Sequence, residues 1–288
     1  MKKAVQFFYP GGSYPSLSIT GTSCALSCEH CSGRYLSGMF DTSGEGSLLA
    51  KALEVEDRGG KGFLLSGGCG PSGGLVFTDD ILEQIARIKD ETDLSINVHT
   101  GLVSRETAQD LSSSGVDSIS FDVHTDREVI RDVLHLKVGA DAFIRSYDHL
   151  EEVGLRVVPH VLAGINWGRI GGEYDAVDFI SSREPDTAVL IVLIPTKGTG
   201  MEGVRPPSNR EIIRLGRYMV DALGSRMYLG CMRPKGDPDL ERSLLRSGFS
   251  GIVNPRRVTR KWALDLDWKI EEYDICCSMW PYHEPTHC

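Results

Sequence analysis

The sequence predicts an α/β fold of the (β/α)8 TIM-barrel type, either fully closed or slightly open. Eight short, apolar, β-branched segments alternate with amphipathic segments along nearly the whole chain. Strict alternation with short connections is typical of a parallel sheet covered by helices, and eight repeats make one barrel of about 250 residues. The length of 288 residues agrees with this. The predicted strands are residues 17–20, 62–65, 94–98, 118–121, 155–161, 188–194, 227–229 and 251–253.

The segments between the strands carry helix signals at their ends. One amphipathic stretch stops at Gly154, a residue type that readily ends a helix. Ser208 and Glu211 have the spacing of a capping box and predict a helix start. Asp237 followed by Pro238 predicts another, because aspartate caps the free amides and proline suits the first helical turn. These signals support helices between the predicted strands.

Composition excludes several classes of protein. The chain has 31 Lys and Arg against 40 Asp and Glu, a net charge of -9, which argues against binding to nucleic acid. No apolar run approaches the roughly 20 residues of a membrane helix. The first residues are basic but lack the apolar core and cleavage site of a signal peptide. We therefore expect a cytoplasmic protein that does not insert into a membrane.

Cysteine is the most informative residue type. A large chain without an export signal uses cysteine for metal binding or catalysis more often than for disulfides. Three cysteines follow the first predicted strand with C-x3-C-x2-C spacing, which suits three corners of a tetrahedral metal site or three irons of a cubane cluster. His30 is a conceivable fourth ligand for zinc, and thiols without any ligand remain possible. The eight cysteines are Cys24, Cys28, Cys31, Cys69, Cys231, Cys276, Cys277 and Cys288.

The positions of these cysteines in the predicted barrel favour chemistry at its mouth. Functional groups of such barrels lie at the carboxyl ends of the strands. Five of the eight cysteines, those from Cys24 to Cys231, directly follow predicted strands. Glycine and polar residues follow the same strands. We therefore expect one face of the barrel to carry the site.

This three-cysteine loop, placed directly after a first barrel strand, resembles the radical S-adenosylmethionine (SAM) superfamily. The resemblance extends over roughly residues 10–260. It implies that Cys24, Cys28 and Cys31 hold a [4Fe–4S] cluster whose open iron binds SAM. It also implies reductive cleavage of SAM to a 5′-deoxyadenosyl radical that removes hydrogen from a substrate.

The resemblance also implies a set of SAM contacts at the other strand ends. Cys69 stands where the family has glutamate after a pair of glycines, so this contact is altered or made by the backbone. His124, taken singly, is equally well explained as a structural residue of the core or rim. The same holds for His99 and His160. The implied contacts are Ser66, Gly67 and Gly68 for the SAM amino group, Asp122 and His124 for the ribose, and Gly164, Ile165 and His30 for the adenine.

The remaining cysteines suggest a second iron–sulfur cluster. The chain ends in a segment rich in Cys, Trp, Tyr and Pro, which is unusual for a solvated tail. We expect a barrel of residues 1–265 and a tail of residues 266–288 that folds over the barrel mouth. A zinc clip, a disulfide or a dimer contact are alternatives. The candidate ligands are Cys69, Cys231, Cys276, Cys277 and Cys288, with His283 and His287 as weaker ones.

Residues 194–201 and 231–234 resemble the biotin synthase and lipoyl synthase branch of the superfamily. The ligand cysteines of biotin synthase and of single-chain lipoyl synthases are missing at their usual places, so the nearest resemblance is to a subunit of the two-component, archaeal-type lipoyl synthase. It implies sulfur insertion into octanoyl-lysine on a lipoyl carrier protein, with a sister radical SAM subunit and a ferredoxin- or flavodoxin-type electron donor as partners. Candidate channel residues are Trp167, Met201, Met232 and Trp280, and candidate anion anchors are Arg233, Lys235, Arg256 and Arg257.

Two other functions stay open on the sequence. The first is a single-cluster radical SAM mutase or cofactor-maturation enzyme that acts on a free small molecule. The second is a non-enzymatic zinc or iron–sulfur binding module. SAM cleavage under reducing conditions separates the module from both enzymes, and the number of clusters separates the two enzymes.

Overall fold

The computed structural model describes residues 3–224 and 226–283. Eleven parallel strands form one sheet in these residues, and eight α-helices cover its outer side. The strands are β1 (Ala4–Phe8), β2 (Ser16–Ser18), β3 (Phe40–Asp41), β4 (Gly62–Ser66), β5 (Ser95–His99), β6 (Ser118–Asp122), β7 (Val157–Ala163), β8 (Thr187–Val192), β9 (Arg226–Leu229), β10 (Gly251–Val253) and β11 (Lys269–Tyr273).

The sheet is an open half-barrel. Its strand order is β11-β1-β10-β9-β8-β7-β6-β5-β4-β2-β3, so β11 and β3 are edges that do not pair with each other. The α/β class and the eight predicted strands are confirmed, and of the closed and open forms that the sequence allowed, the open one is observed, with eleven strands instead of eight. The sequence did not signal β1, β3 or β11, because β1 begins beside a basic start, β3 has two residues, and β11 reads KIEEY. The predicted boundary after residue 265 falls just before β11.

The helices begin where the sequence predicts. The reciprocal Ser208–Glu211 capping box opens α6, and Asp237 caps α7 with Pro238 in the first turn. No described helix combines the length and apolar composition needed to cross a membrane. The helices are α1 (Ser47–Asp57), α2 (Asp79–Glu91), α3 (Arg105–Ser113), α4 (Ala140–Glu152), α5 (Gly172–Ser181), α6 (Asn209–Leu223), α7 (Pro238–Arg246) and α8 (Arg257–Asp265).

The two faces of the sheet have different characters. Side chains of a strand alternate between its faces, so Val98 and Phe121 point to the helices and join the main apolar core. Their neighbours His99 and Asp122 point to the inner face of the half-barrel, as does His160 on β7. Burial of the outer face holds the helices on the sheet, whereas the inner face carries these polar groups beside a second apolar cluster that includes Phe8 and Tyr228.

The described part of the tail packs on this inner face near the beginnings of the strands. The carbonyl of Ser278 accepts a hydrogen bond from Ser118, the first residue of β6 (3.3 Å). His283 contacts Ser95, the first residue of β5, at 2.8 Å. The mouth lies at the other ends of the strands. The expectation of a tail across the mouth is therefore corrected, because residues 274–283 fill the opposite end.

Arg156, just before β7, holds the tail in place. Its guanidinium donates to the carbonyls of Ser278 and Trp280, the latter at 2.7 Å. Asp186 accepts two further hydrogen bonds from it, at 2.8 and 3.0 Å. The Arg156 side chain is 12% exposed and that of Asp186 is 50% exposed, so the bonds to the tail carbonyls are better shielded from water than the ion pair. One arginine thus ties residues more than 120 positions apart in sequence.

Candidate functional site

The cysteine loop, residues 21–33, lies at the carboxyl end of β2. Backbone hydrogen bonds fix it to neighbouring strand ends: Ala25 N donates to the carbonyl of Cys69 (2.9 Å), and Glu29 N donates to that of Val133 (2.9 Å). These bonds join the loop to the segments after β4 and β6. The loop is therefore held by the barrel rim instead of by its own sequence alone.

The glycines after β4 let the rim approach the cysteine loop closely. A Cβ on Gly68 would lie 1.9 Å from the carbonyl oxygen of Ser23 and 2.5 Å from Cys24 Cβ. The Gly68 amide donates to Thr20 Oγ1 at 2.7 Å. Ser66, the last residue of β4, is buried. The predicted SAM-binding segment from Ser66 to Gly68 thus lies directly against the loop.

The three thiols are free, and Cys28 and Cys31 lie close together, whereas Cys24 is outside the group of ligand atoms that lie within 4.8 Å of one another. Cys28 is buried and Cys24 and Cys31 are partly exposed. Ligand atoms of Cys28, His30 and Cys31 lie within 4.8 Å of one another. A hydrogen bond from Cys28 lowers the pKa of Cys31, with further help from His30. Such a set can hold iron or zinc, because thiolate and imidazole are ligands of both.

Two buried polar atoms near this loop lack a hydrogen-bond partner among the described residues. They are His30 Nδ1 and Asp122 Oδ1. Buried polar atoms normally have partners, so unpaired atoms beside a predicted site indicate groups that a ligand satisfies. The three thiols, the close glycine segment and these two atoms fit a [4Fe–4S] cluster with bound SAM.

The predicted adenine segment after β7 is fixed by a residue that the sequence analysis missed. Glu173 is 5% exposed and accepts hydrogen bonds from the amides of Gly164 (2.7 Å) and Gly171 (2.8 Å). Burial raises its pKa. Gly164 has a φ of 83°, which favours glycine, and Ile165 is buried beside it. An acid in the first turn of α5 looks like an ordinary helix-start residue, so no sequence signal marked Glu173.

His124 lies beside this polar rim but packs against helix α4. It is buried, and its ring packs edge-on against Phe143 with 5.4 Å between centroids. Burial lowers its pKa to about 4, so it is neutral near pH 7. The structure gives it the surroundings of a core histidine, and the predicted ribose contact of His124 stays a prediction.

Asp122 instead joins an imidazole pair, His99 and His160, on the inner face. His99 Nε2 lies 3.2 Å from Asp122 Oδ2, and the two rings stack with centroids 6.4 Å apart. Burial alone would raise the pKa of Asp122, but His99 overrides this and lowers it. His160 donates from Nδ1 to the carbonyl of Val158 (3.0 Å), which leaves its Nε2 as an acceptor.

A second group of thiols lies on the inner face. We call Cys231, Cys276 and Cys277 the inner-face thiols; Cys277 is buried, Cys276 is partly exposed and Cys231 is exposed. A hydrogen bond from Cys277 lowers the pKa of Cys276 to about 7, against the effect of burial. Asn97 on β5 contacts Cys276 Sγ at 3.8 Å.

The structure therefore divides the predicted auxiliary ligands. Cys69 belongs with the cysteine loop, since burial and then the charges of Cys24 and Cys31 raise its pKa to about 12. Its place in the second set was inferred by elimination and is not supported. Cys288 and His287 lie outside the described residues, and His283 is bonded to Ser95.

The predicted channel residues and anion anchors do not form one group in the structure. Arg233 is no rim cation, because it is buried in an ion pair with Glu241 at 2.8 Å. Met201 is fully buried, and Trp280 stacks on Arg226 at the start of β9. Met232 is partly buried on the inner face and Trp167 is 40% exposed. The remaining cations, Lys235, Arg256 and Arg257, line a cleft of about 430 Å³.

Comparison with known proteins agrees with this site. Residues 18–171, more than half of the chain, match the family model of the radical SAM superfamily. A biotin synthase from Pseudoalteromonas atlantica is 22% identical over 226 residues, which cover 74% of this chain and 59% of that enzyme. The chain thus spans less than two thirds of the length of this relative.

Two solved structures share the fold. The FeFe-hydrogenase maturase HydG from Carboxydothermus hydrogenoformans superposes with a TM-score of 0.64 at 17% identity, covering 93% of this chain and 68% of that one. Methylornithine synthase (PylB) gives a TM-score of 0.59 at 17% identity, covering 93% and 83%. These identities establish a likeness of fold alone.

Proposed function

Because this chain belongs to the radical SAM superfamily, we propose that it is a sulfur-inserting radical SAM enzyme with octanoyl-lysine as its substrate. Cys24, Cys28 and Cys31 would hold the [4Fe–4S] cluster. When bound, the cluster and SAM supply a 5′-deoxyadenosyl radical that removes hydrogen from an unactivated carbon. Sulfur would then be added at the sixth carbon of the octanoyl chain, at the eighth carbon or at both.

The chain's own residues would orient SAM over the cysteine loop. Gly68 offers backbone close to Cys24, and Gly67 lies against Thr20. Asp122 carries an unpaired oxygen near the loop. Glu173 accepts a hydrogen bond from the backbone amide of Gly164 and thereby fixes the segment after β7. Each contact places polar groups before SAM arrives, which reduces the cost of ordering them on binding.

The observation that favours sulfur insertion is that the inner-face thiols share one surface. Cys276 and Cys277 belong to the same apolar cluster as Met232, the neighbour of Cys231, although Cys231 follows β9 and Cys276 follows β11. Thiolates are the usual ligands of iron–sulfur clusters. A second cluster on these thiols would lie on the same inner face as the imidazole pair and could supply the sulfur.

The partners of the proposal follow from the substrate. Octanoyl-lysine would be presented by a lipoyl carrier protein or a peptide of it. Two sulfur insertions could require a sister radical SAM subunit, and a ferredoxin- or flavodoxin-type protein would supply electrons. Lys235, Arg256 and Arg257 offer an acidic carrier a basic contact on an otherwise acidic chain.

An anaerobic reaction with an octanoyl-lysine peptide, SAM and a reductant tests this function. Wild type should release 5′-deoxyadenosine and form a thiolated peptide, with a sister subunit added if one is needed. The Cys231→Ser/Cys276→Ser variant should still cleave SAM but form no thiolated peptide. Tyr218→Phe, on α6 and hydrogen-bonded to Asp178 of α5, is the control because it lies on the helical layer outside the sheet. Thiolation by the double variant would refute the role of these thiols.

A second function is favoured by the polar part of the inner face. Asp122 and the imidazole pair suit a small polar substrate as well as an acylated lysine. A single-cluster mutase or maturation enzyme would then need no ligand from the tail. It predicts SAM cleavage and product formation that are unchanged when Cys231 and Cys276 are replaced.

A further inference from the structure

The imidazole pair offers two unused ring nitrogens to the interior of the half-barrel. Neither His99 Nδ1 nor His160 Nε2 has a hydrogen-bond partner within residues 3–224 and 226–283, and neither is among the buried unpaired atoms. His99 is 36% exposed although it lies on the inner face. Its exposed part therefore faces the open interior, where a substrate would bind.

The hydrogen-bonding role of His160 is fixed by its surroundings. A carbonyl can only accept, so the contact with the Val158 carbonyl places the proton of a neutral ring on Nδ1. Nε2 is then an acceptor. Burial lowers the pKa of His160, which favours this neutral form. A ligand group at this nitrogen must bring an N–H or O–H.

His99 pairs with the Asp122 carboxylate. Its Nε2 contacts that carboxylate at 3.2 Å, and this pairing outweighs burial and raises the pKa of His99. When His99 is protonated, its free Nδ1 is a donor within a pair of zero net charge. A carboxylate would meet repulsion from Asp122 and an ammonium would meet repulsion from His99, so an uncharged polar group suits the pair best.

Apolar side chains continue beside the pair. Leu162 follows His160 by two positions on β7 and shares its face, and Met232 is also partly buried there. An apolar chain can therefore run along this surface from a polar group held at the imidazoles. The combination suits an acyl chain joined to a neutral hydrogen-bonding group.

We infer that His160 and His99 bind the amide group of an N-acylated substrate, with His160 Nε2 accepting from the amide N–H and His99 Nδ1 donating to its oxygen. The inference rests on the proposed function and names the substrate feature that the site reads. It implies discrimination against esters, which have the same shape but no N–H. The acyl chain would lie along Leu162 and Met232.

Binding of matched uncharged probes tests the inference without requiring turnover. N-Butyloctanamide and butyl octanoate would be titrated by calorimetry into the anaerobically reconstituted, SAM-loaded full chain. Wild type should bind the amide about tenfold more tightly than the ester, the effect of one hydrogen bond. His160→Phe keeps a ring without an acceptor and should bind both equally. His160→Gln restores an acceptor oxygen and should regain part of the preference.

His149→Gln, on α4 and bonded to the Val103 carbonyl, is the control and should keep the full preference. Iron content and thermal unfolding would confirm that each variant folds. Equal binding of amide and ester by wild type, tighter binding of octanoate or octylamine, no binding of any probe, or a preference that survives in His160→Phe would overturn the inference. An amide preference without thiolated product would leave it standing and refute sulfur insertion instead. Thiolated product without an amide preference would overturn the inference and leave sulfur insertion standing.

Discussion

The cysteine loop and the inner-face thiols show two ways in which one chain gathers thiols. The loop carries three cysteines within eight consecutive residues, so the sequence itself makes the group visible, although the barrel rim fixes the loop's shape. The inner-face thiols come from the end of β9 and from the tail, more than 40 positions apart in sequence. They share one surface only because the tail folds back on the inner face of the sheet. A motif therefore reveals the first group, whereas the second depends on tertiary structure.

Gly68→Ala should have the largest effect and should act on the loop only. Its Cβ would lie 1.9 Å from the Ser23 carbonyl oxygen, a backbone atom that cannot move without shifting the loop. We expect iron bound at the loop and SAM cleavage to fall by at least about tenfold, which corresponds to roughly 1.4 kcal/mol. Iron analysis after reconstitution and 5′-deoxyadenosine release measure this.

Gly12→Ala is the control, because a Cβ there meets nothing within 4 Å. It should leave both readouts unchanged. Equal iron content in Gly68→Ala and wild type would show that the close approach to the loop is not needed for cluster binding.

Arg156→Met should act on the tail and leave the loop intact. It removes the donors to Ser278 and Trp280 and leaves their carbonyls without these bonds. Charge-assisted, largely buried hydrogen bonds contribute about 1.5–3 kcal/mol each, so we expect the free energy of unfolding to fall by about 2–4 kcal/mol. Urea denaturation measures it.

Arg145→Met tests the specificity of that loss. Arg145 forms an exposed ion pair with Asp141 on α4, and such pairs contribute at most about 1 kcal/mol. Similar destabilisation by the two variants would contradict a special role for Arg156. Retained SAM cleavage in Arg156→Met would sharpen the contrast between the two regions.

Glu173→Gln should have a smaller effect, confined to the loop side of the site. The glutamine side chain keeps one acceptor oxygen, which can serve the backbone N–H of either Gly164 or Gly171. Its NH2 group then faces the other backbone N–H and cannot accept from it. Loss of one hydrogen bond, about 1 kcal/mol, should weaken SAM binding roughly fivefold. Glu106→Gln, exposed on α3, is the control. Equilibrium dialysis with SAM measures the change, and unaltered affinity would contradict the positioning role of Glu173.

The smallest expected effect concerns the pH dependence of the His99–Asp122 pair. The raised pKa of His99 adds stability that is complete below about pH 6.5 and is lost as the pH rises through its folded-state value. The lowered pKa of Asp122 adds stability that is complete above about pH 4 and is lost in acid. The pair therefore contributes most between about pH 4 and 6.5.

Asp122→Asn should remove this dependence. The difference in urea midpoint between wild type and variant should shrink from about pH 6 to about pH 9, because wild type loses the pair on deprotonation of His99. A difference that stays constant over this range would show that the two groups are not coupled.

Much of the fold was predictable because its signals are local. Strand runs and the Ser208 and Asp237 caps depend on residues within one turn or one strand, and the structure confirms them. β11 was missed because its polar pattern gains stability only from pairing with β1, more than 260 positions away. The tail was placed at the wrong end for the same reason, since Arg156 and Ser278 interact across 122 positions.

The site was predictable only in part. The cysteine loop and the neighbouring glycines follow directly from sequence spacing and strand order. Cys69 was grouped with the tail by elimination, whereas the end of β4 places it beside Cys24 and Cys31. Glu173 and the His99–His160 pairing depend on contacts between separate strands and loops, which no single segment of sequence encodes.

Anaerobic reconstitution with iron and sulfide, followed by iron counting and Mössbauer spectroscopy, tests the central claim most directly. The claim is that the cysteine loop and the inner-face thiols bind separate clusters. Wild type should then hold two clusters, and Cys24/Cys28/Cys31→Ala and Cys231/Cys276→Ala should each hold one, with different spectra. A single cluster in wild type that is lost entirely in the loop variant would contradict the claim.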